Sequence, residues 1–305
     1  MSTRSTGIAI AFVTACISGV AIWLNTRAAA HFSDGGVYTT AKNLVAGVVL
    51  LLILLVPGSH GRASVSSITR RNWPALLAVA VIGGSVPFVL FFDGLKDSTA
   101  TQAAFIQKSL IIWVALLAVP LLKERFQWPH ALAIVFLVVG QAWLAGLFSA
   151  GTRGHVAFGK GEAMILLATL LWSVEIVFVK YLLRSIPPSV VAAARMSIGA
   201  VLLLCWLAIT GKFGDLTGLS ALQWRWALLT GLLLSAYVAT WFAALARAQA
   251  IDVTAVLVFG ALVTAILSGV IDGAAIGVGG TVLVAVGSGV IAWAALRRPP
   301  AEAAA

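Results

Sequence analysis

The sequence predicts an all-α, polytopic membrane protein of ten transmembrane helices, arranged as two inverted five-helix repeats around a central cavity. Three observations carry this expectation. Of 305 residues, 61% are hydrophobic and only 10% are charged, with a mean hydropathy of +1.05. A water-exposed domain carries about 25% charge, so this inventory cannot cover a soluble surface. Ten apolar stretches approach the roughly 20 residues that a helix needs to cross hydrocarbon, where it satisfies its own backbone. Finally, the two halves can be laid on one another. With five spans in each, an odd number, the second must cross the membrane upside down relative to the first.

In the first half (1–150) the spans fall at 7–25, 37–56, 74–95, 99–121 and 129–148; in the second (151–305) at 161–183, 188–210, 226–247, 252–271 and 276–296. Span 1, Gly7 to Asn25, is long for a signal-peptide core, and no clear small-residue cleavage site follows it. Span 3 contains Gly83-Gly84-Ser85-Val86-Pro87. Proline removes a backbone hydrogen bond and frees a carbonyl, and paired glycines bend easily, so Gly83, Gly84 and Pro87 are candidate hinge residues. Span 10 is rich in glycine, which weakens a lone helix but permits close helix contact within a bundle or across a homodimer. Trp73, Trp128, Trp224, Trp226 and Trp293 sit at span ends, as interfacial residues do. No loop is long enough to hold a soluble domain.

The formal net charge of +10 would point to nucleic acid in a soluble chain. Here basic residues set topology and meet lipid headgroups, and no nucleic-acid partner is expected. With the N-terminus inside, 11 Lys and Arg fall on the cytoplasmic side and 7 on the other, which places both termini in the cytoplasm. Cys16 and Cys205 lie in apolar runs, and the four histidines, read as residues of polar connectors, lack HExxH spacing. No metal or cofactor is therefore expected. Without GxxxxGK[ST], ATP is not the direct energy source. An intramembrane enzyme would need a nucleophile with a base, and neither GxSxG nor paired carboxylates occur within the spans.

The repeat has specific matches. Ser18–Asn25 lies on Ser173–Lys180, Ala41-Lys42-Asn43 on Ala194-Arg195-Met196, Phe91-Phe92 on Trp241-Phe242, and Glu124 falls opposite Asp272. A basic residue thus recurs in the second helix of each half. These features, with Leu121-Leu-Lys-Glu-Arg125 ahead of a Gly-containing helix, resemble the EamA-type branch of the drug/metabolite transporter superfamily, and within it the YddG-type amino-acid exporters. The resemblance implies export of small metabolites from the cytoplasm across a bacterial inner membrane through a central cavity. Asp272-Gly273 departs from Glu124-Arg125 at the matching turn.

Ionisable residues within a bilayer are functional candidates by default. Glu175 and Arg195 sit at similar depth on helices joined by a short turn, as either a structural or a coupling ion pair, and Lys42 with Asp93 forms a second candidate pair. Lys108 falls mid-span with Gln102 and Gln107 nearby, where an ammonium and amides can receive a substrate carboxylate. Phe88, Phe91, Trp172, Tyr237 and Trp241 fall where the repeat places the cavity wall, and Tyr237 and Trp241 share a helix face. A secondary transporter of amino acids, aromatic and other neutral ones, and related metabolites fits this set. Efflux of lipophilic cations is the alternative; it wants a midplane carboxylate, which span 1 lacks. The expected partners are a small-molecule substrate and membrane lipids, with the chain a monomer or, through span 10, a homodimer.

Overall fold

The computed structural model describes residues 3–55, 70–98, 100–144, 158–273 and 277–297, and every regular element among them is helical. Eight helical segments are long and apolar enough to cross a membrane, and two shorter apolar helices stand at the fifth and tenth expected positions. Apolar side chains also cover the outside: Leu52, Val135, Val201 and Val270 are all more than half exposed. A surface of that kind needs lipid rather than water around it.

The first half runs through α1 (Thr3–Ala29), α2 (Gly35–Leu55), α3 (Trp73–Val79) and α4 (Val86–Gly94). It continues through α5 (Ala100–Lys108), α6 (Leu110–Leu122) and α7 (Trp128–Leu144). The second contains α8 (Lys160–Leu182), α9 (Pro188–Ile209), the short α10 (Phe213–Thr217) and α11 (Ala221–Leu245), then α12 (Ala250–Leu257), α13 (Gly260–Asp272) and α14 (Val278–Arg297). Expected span 3 is one column in three parts, because Ala80–Ser85 winds as a π-helix between α3 and α4. Such a segment displaces carbonyls from the regular ladder.

Expected spans 4 and 9 are each broken, at Ser109 and at Val258–Phe259. The break is followed in both cases by a 13-residue helix, α6 or α13, which ends on a left-handed residue, Lys123 (φ 55°) or Gly273 (φ 66°). Lys123 therefore matches Gly273, and Glu124 does not sit opposite Asp272 as the sequence alignment had it. Packing repeats the correspondence: α1 lies against α11 as α4 lies against α8, α1 against α13 as α8 against α6, α2 against α9, and α7 against α14. Exchanging the two halves leaves that pattern unchanged.

Small residues set the closest approaches. Thr264 donates to the Gly19 carbonyl at 2.9 Å, across a contact where a Cβ on Gly19 would lie 2.5 Å from the Gly260 carbonyl oxygen. In span 10, Gly279 and Gly287 face Trp143 and Leu137 of α7, so these two glycines serve a contact within the chain. The tightest site is the π-helix, where a Cβ on Gly84 would lie 2.4 Å from the Arg195 carbonyl oxygen. Gly84→Ala should consequently destabilise the protein by about 1–3 kcal/mol through overpacking. Gly214→Ala, with nothing within 4 Å of the added carbon, should leave the thermal midpoint in detergent unchanged or higher. Equal midpoints for the two variants would refute the packing argument.

Candidate functional site

Helices from both halves enclose a cavity of about 240 Å³. Ser18, Ile22 and Asn25 of α1, Lys42 of α2, Phe88 of α4 and Gln107 and Lys108 of α5 line one part of it. Trp172 and Glu175 of α8, Arg195 of α9, Tyr237 and Trp241 of α11, and Thr254 of α12 line the rest. The expected site residues Lys108, Gln107, Phe88, Trp172, Tyr237, Trp241, Glu175 and Arg195 thus meet at one place. Phe91 stands behind the wall, its ring 5.7 Å from that of Trp172. The side chain of Gln102 lies outside the described residues.

Glu175 and Arg195 form an ion pair. Arg195 Nε donates to Glu175 Oε1 at 2.5 Å and Nη2 to Oε2 at 3.2 Å, in the two-point geometry that makes such pairs strong. Nη2 also donates to the Gly83 carbonyl at 2.9 Å, and Trp172 Nε1 donates to the same oxygen at 3.2 Å. The bent span therefore does supply a free carbonyl, but this chain's own donors occupy it. Gly83 is fixed by the same contact, since a Cβ there would overlap the Glu175 carboxyl carbon at 2.0 Å. Gly83 and Gly84 are thus held in tight packing, and Pro87 is buried at the first turn of α4. The sequence had marked these three as a hinge.

The expected Lys42–Asp93 pair does not form. Asp93 takes Lys96 at 2.6 Å, one turn along its own chain, and that partner raises the pKa of the Lys96 ammonium. Lys42, only 7% exposed, instead lies 4.9 Å from the centre of the Tyr38 ring and 5.6 Å from that of Phe92. Tyr237 and Trp241 stack with their rings 6.1 Å apart.

Charged networks join helices at the two ends of the bundle. At the end where α1 begins, Asp252 accepts from Arg4 Nη2 at 2.6 Å and lies 3.0 Å from His130 Nε2. His130 is not a connector residue: it is fully buried in the first turn of α7, and the Gln127 N–H donates to its Nδ1, leaving Nε2 to donate to Asp252. Glu124 accepts the N–H groups of Ala250 and Ile251 at 2.7 and 3.1 Å, a carboxylate on the open N-terminus of α12. Lys180 donates to the carbonyls of Leu245 and Ala248 at the end of α11.

At the opposite end Asp34 caps α2 through Gly36 and Val37 and takes Lys212 at 2.6 Å. Burial pushes the Asp34 carboxyl upward, but Lys212 and the two N–H groups outweigh it and hold the pKa below its ordinary 3.8. Arg27 pairs with Asp272 nearby. Sequence reading missed the first network because its links between helices span 65 to 248 residues. The available signal was a set of charges beside apolar runs: Glu124, Lys180 and Asp252.

Residues 5–146 and 159–294 match the EamA-like transporter family. The chain belongs to that family. An uncharacterized transporter of Methanothermobacter thermautotrophicus is 28% identical over 58% of this chain and 53% of its own length. One from Synechocystis sp. is 25% identical over 72% of this chain and 63% of its own, and YyaM of Bacillus subtilis is 24% identical over 64% and 62%. The chain therefore spans just over half to under two thirds of these curated relatives. A solved crystal structure superposes with a TM-score of 0.80 at 18% identity, covering 96% of this chain and 99% of the other, which shows a shared fold. Together the family and the relatives point to a multi-pass membrane transporter rather than an enzyme.

Two predictions follow from the geometry. Removing one member of the central pair leaves a buried charge uncompensated, so Arg195→Gln should cost about 3–5 kcal/mol. The double variant Glu175→Gln/Arg195→Gln should recover most of that, as thermal midpoints in detergent will show. The second concerns Glu124, whose pKa burial raises above the ordinary 4.5 despite its two N–H donors. Its contribution to stability is thus fully present below the ordinary value and is lost as pH rises through the raised one. The difference in midpoint between wild type and Glu124→Gln should shift in favour of wild type on acidification from neutral pH. A difference independent of pH would remove Glu124 from this role.

Proposed function

We propose that the chain is a secondary transporter that exports small carboxylate-bearing metabolites, amino acids among them, by alternating access. In this reading ten helices cross the inner membrane of a bacterial cell. Residues 1–150 and 151–305 form two inverted repeats, and both termini lie in the cytoplasm. The observation that carries it is the central cavity, to which both halves contribute and which holds Lys42 and Lys108 beside the Glu175–Arg195 pair. Packing that survives exchange of the halves supports the inverted arrangement, because two equivalent gates then lie on opposite sides of one site. The short helices α7 and α14, packed on each other, are the fifth and tenth spans.

Lys108 and Gln107 offer donors to a carboxylate, while Phe88, Trp172, Tyr237 and Trp241 offer apolar surface to the remainder of the substrate. Amino acids with neutral and aromatic side chains, the class exported by YddG-type proteins, would use those donors and that apolar wall but leave one of the two lysines without a counter-charge. Lipophilic cations fit less well, because Glu175, the carboxylate in the lining, is engaged by Arg195 at both oxygens. The charge balance by side supports a cytoplasmic position for both termini.

Aqueous access tests the reading. With Cys16 and Cys205 replaced by serine, single cysteines at Gln107, Thr230 and Tyr237 should react in reconstituted vesicles with a membrane-impermeant thiol reagent. Substrate that drives counterflow should slow that reaction. If all three positions stay shielded from both sides, no water-filled path exists and the transporter reading fails.

A further inference from the structure

We propose that the cavity is built for a small organic acid with two anionic groups, one received by Lys42 and one by Lys108. The inference rests on the transporter reading above and narrows its substrate class. Three cations line the cavity against one carboxylate. Arg195 and Glu175 satisfy each other, which leaves two ammonium groups. Among the described residues, neither Lys42 nor Lys108 has a carboxylate partner or a hydrogen bond. Lys42 meets only the ring faces of Tyr38 and Phe92, and Lys108 is the last residue of α5, at the break before Leu110. Cations held this deep cost several kcal/mol each unless a counter-charge reaches them. The protein supplies none, so a counter-charge carried by the cargo is what would hold both ammonium groups in their charged form.

The acceptors point the same way. A substrate ammonium would need a free carboxylate or carbonyl in the wall. Both oxygens of Glu175 are bonded to Arg195, the Gly83 carbonyl already takes Arg195 and Trp172, and the carbonyls of Ala80 and Val81 take the Ser85 hydroxyl. A neutral zwitterion would pair one lysine, leave the other bare, and bring in an ammonium that neutral oxygens of the lining such as Gln107 Oε1, rather than a free carboxylate, would have to receive. A lipophilic cation would add a third unpaired positive charge. A dianion pairs both lysines and introduces nothing that needs an acceptor. The cavity volume of about 240 Å³ and the aromatic walls suit a short carbon chain between the two acid groups.

Counterflow in proteoliposomes tests this with succinate, aspartate, lactate, phenylalanine, inorganic phosphate and tetraphenylphosphonium as separate probes. Succinate should exchange fastest, aspartate more slowly, and phenylalanine and tetraphenylphosphonium least. Lys42→Gln and Lys108→Gln should each lower the ratio of succinate to lactate exchange by about tenfold or more, the loss expected for one charge-assisted contact. Lys42→Arg and Lys108→Arg, which keep the charge, should retain the preference. A merely structural lysine would leave that ratio unchanged in every variant that folds. Exchange of phenylalanine or tetraphenylphosphonium without succinate would overturn the inference and leave the transporter reading standing. Exchange of phosphate alone would overturn it too. No exchange of any probe, with the cysteine positions shielded, would remove both.

Discussion

The structure turns on how a charge is held where there is no water to hold it. Arg195 is the centre of that solution. Its guanidinium has Glu175 on α8, the Gly83 carbonyl on the π-helical turn and the sulfur of Met196 beside it, so three columns of the bundle meet on one side chain. Each feature of the neighbourhood follows from that arrangement. The carbonyl is available because the backbone leaves the regular ladder there, and the turn comes close enough because Gly83 and Gly84 have no Cβ to obstruct it. Trp172 shares the same carbonyl and so has its ring fixed in the cavity wall. One ion pair thereby determines the shape of the cavity as well as the packing of the helices around it.

The two ends of the bundle solve the same problem differently. Where α1 begins, Glu124 and Asp252 sit at the N-terminus of α12, Arg4 and His130 link it to α1 and α7, and Lys180 of α8 holds the end of α11 just before it. At the other end, Asp34 with Lys212 and Arg27 with Asp272 tie helices in pairs. The cavity lining extends from Asn25, near the second end, to Thr254, two residues from Asp252 of the first network. On the proposed alternating-access reading, exposing the cavity to the first side would break contacts converging on α12. That helix is short and separated from α13 by the Val258–Phe259 turn, so it can move without carrying the whole column.

Much of this was legible in the sequence. Apolar stretches gave the columns because helix length in hydrocarbon is fixed by membrane thickness. The Glu175–Arg195 pair followed from depth, since two helices joined by a short turn bring equal depths together. The aromatic wall followed from the repeat. Failures came where partners are remote or local geometry departs from the regular helix. Asp93 has a closer cation in Lys96 than in Lys42, a choice that sequence spacing did not reveal. His130 looked like a connector residue because its carboxylate partner is 122 positions away. Neither the π-turn nor the breaks at Ser109 and Val258 have a signature strong enough to mark them, although glycine and proline marked the first as unusual. The alignment of Glu124 with Asp272 failed because side-chain type was matched where backbone conformation, the left-handed cap, is the conserved geometry of the two halves.

The charged groups sort by whether both partners belong to the protein. Arg4 with Asp252, Lys212 with Asp34, Arg27 with Asp272 and Arg195 with Glu175 are complete within the chain. Each joins helices distant in sequence or fixes a bend, which is what a structural pair does. Lys42 and Lys108 are incomplete, and both face the cavity. A scaffold gains nothing from an unpaired ammonium in its interior, because an apolar residue of similar size would fill the space without the desolvation cost. The Tyr237 hydroxyl also has no hydrogen-bond partner among the described residues, and it too belongs to the lining. Lys42, Lys108 and the Tyr237 hydroxyl thus share one cavity, while the buried polar atoms of Thr39, Asn43, Thr281 and Ser288 that also lack hydrogen bonds lie outside its lining. What sets the cavity apart is charge: the two ammonium groups without a carboxylate partner both face it.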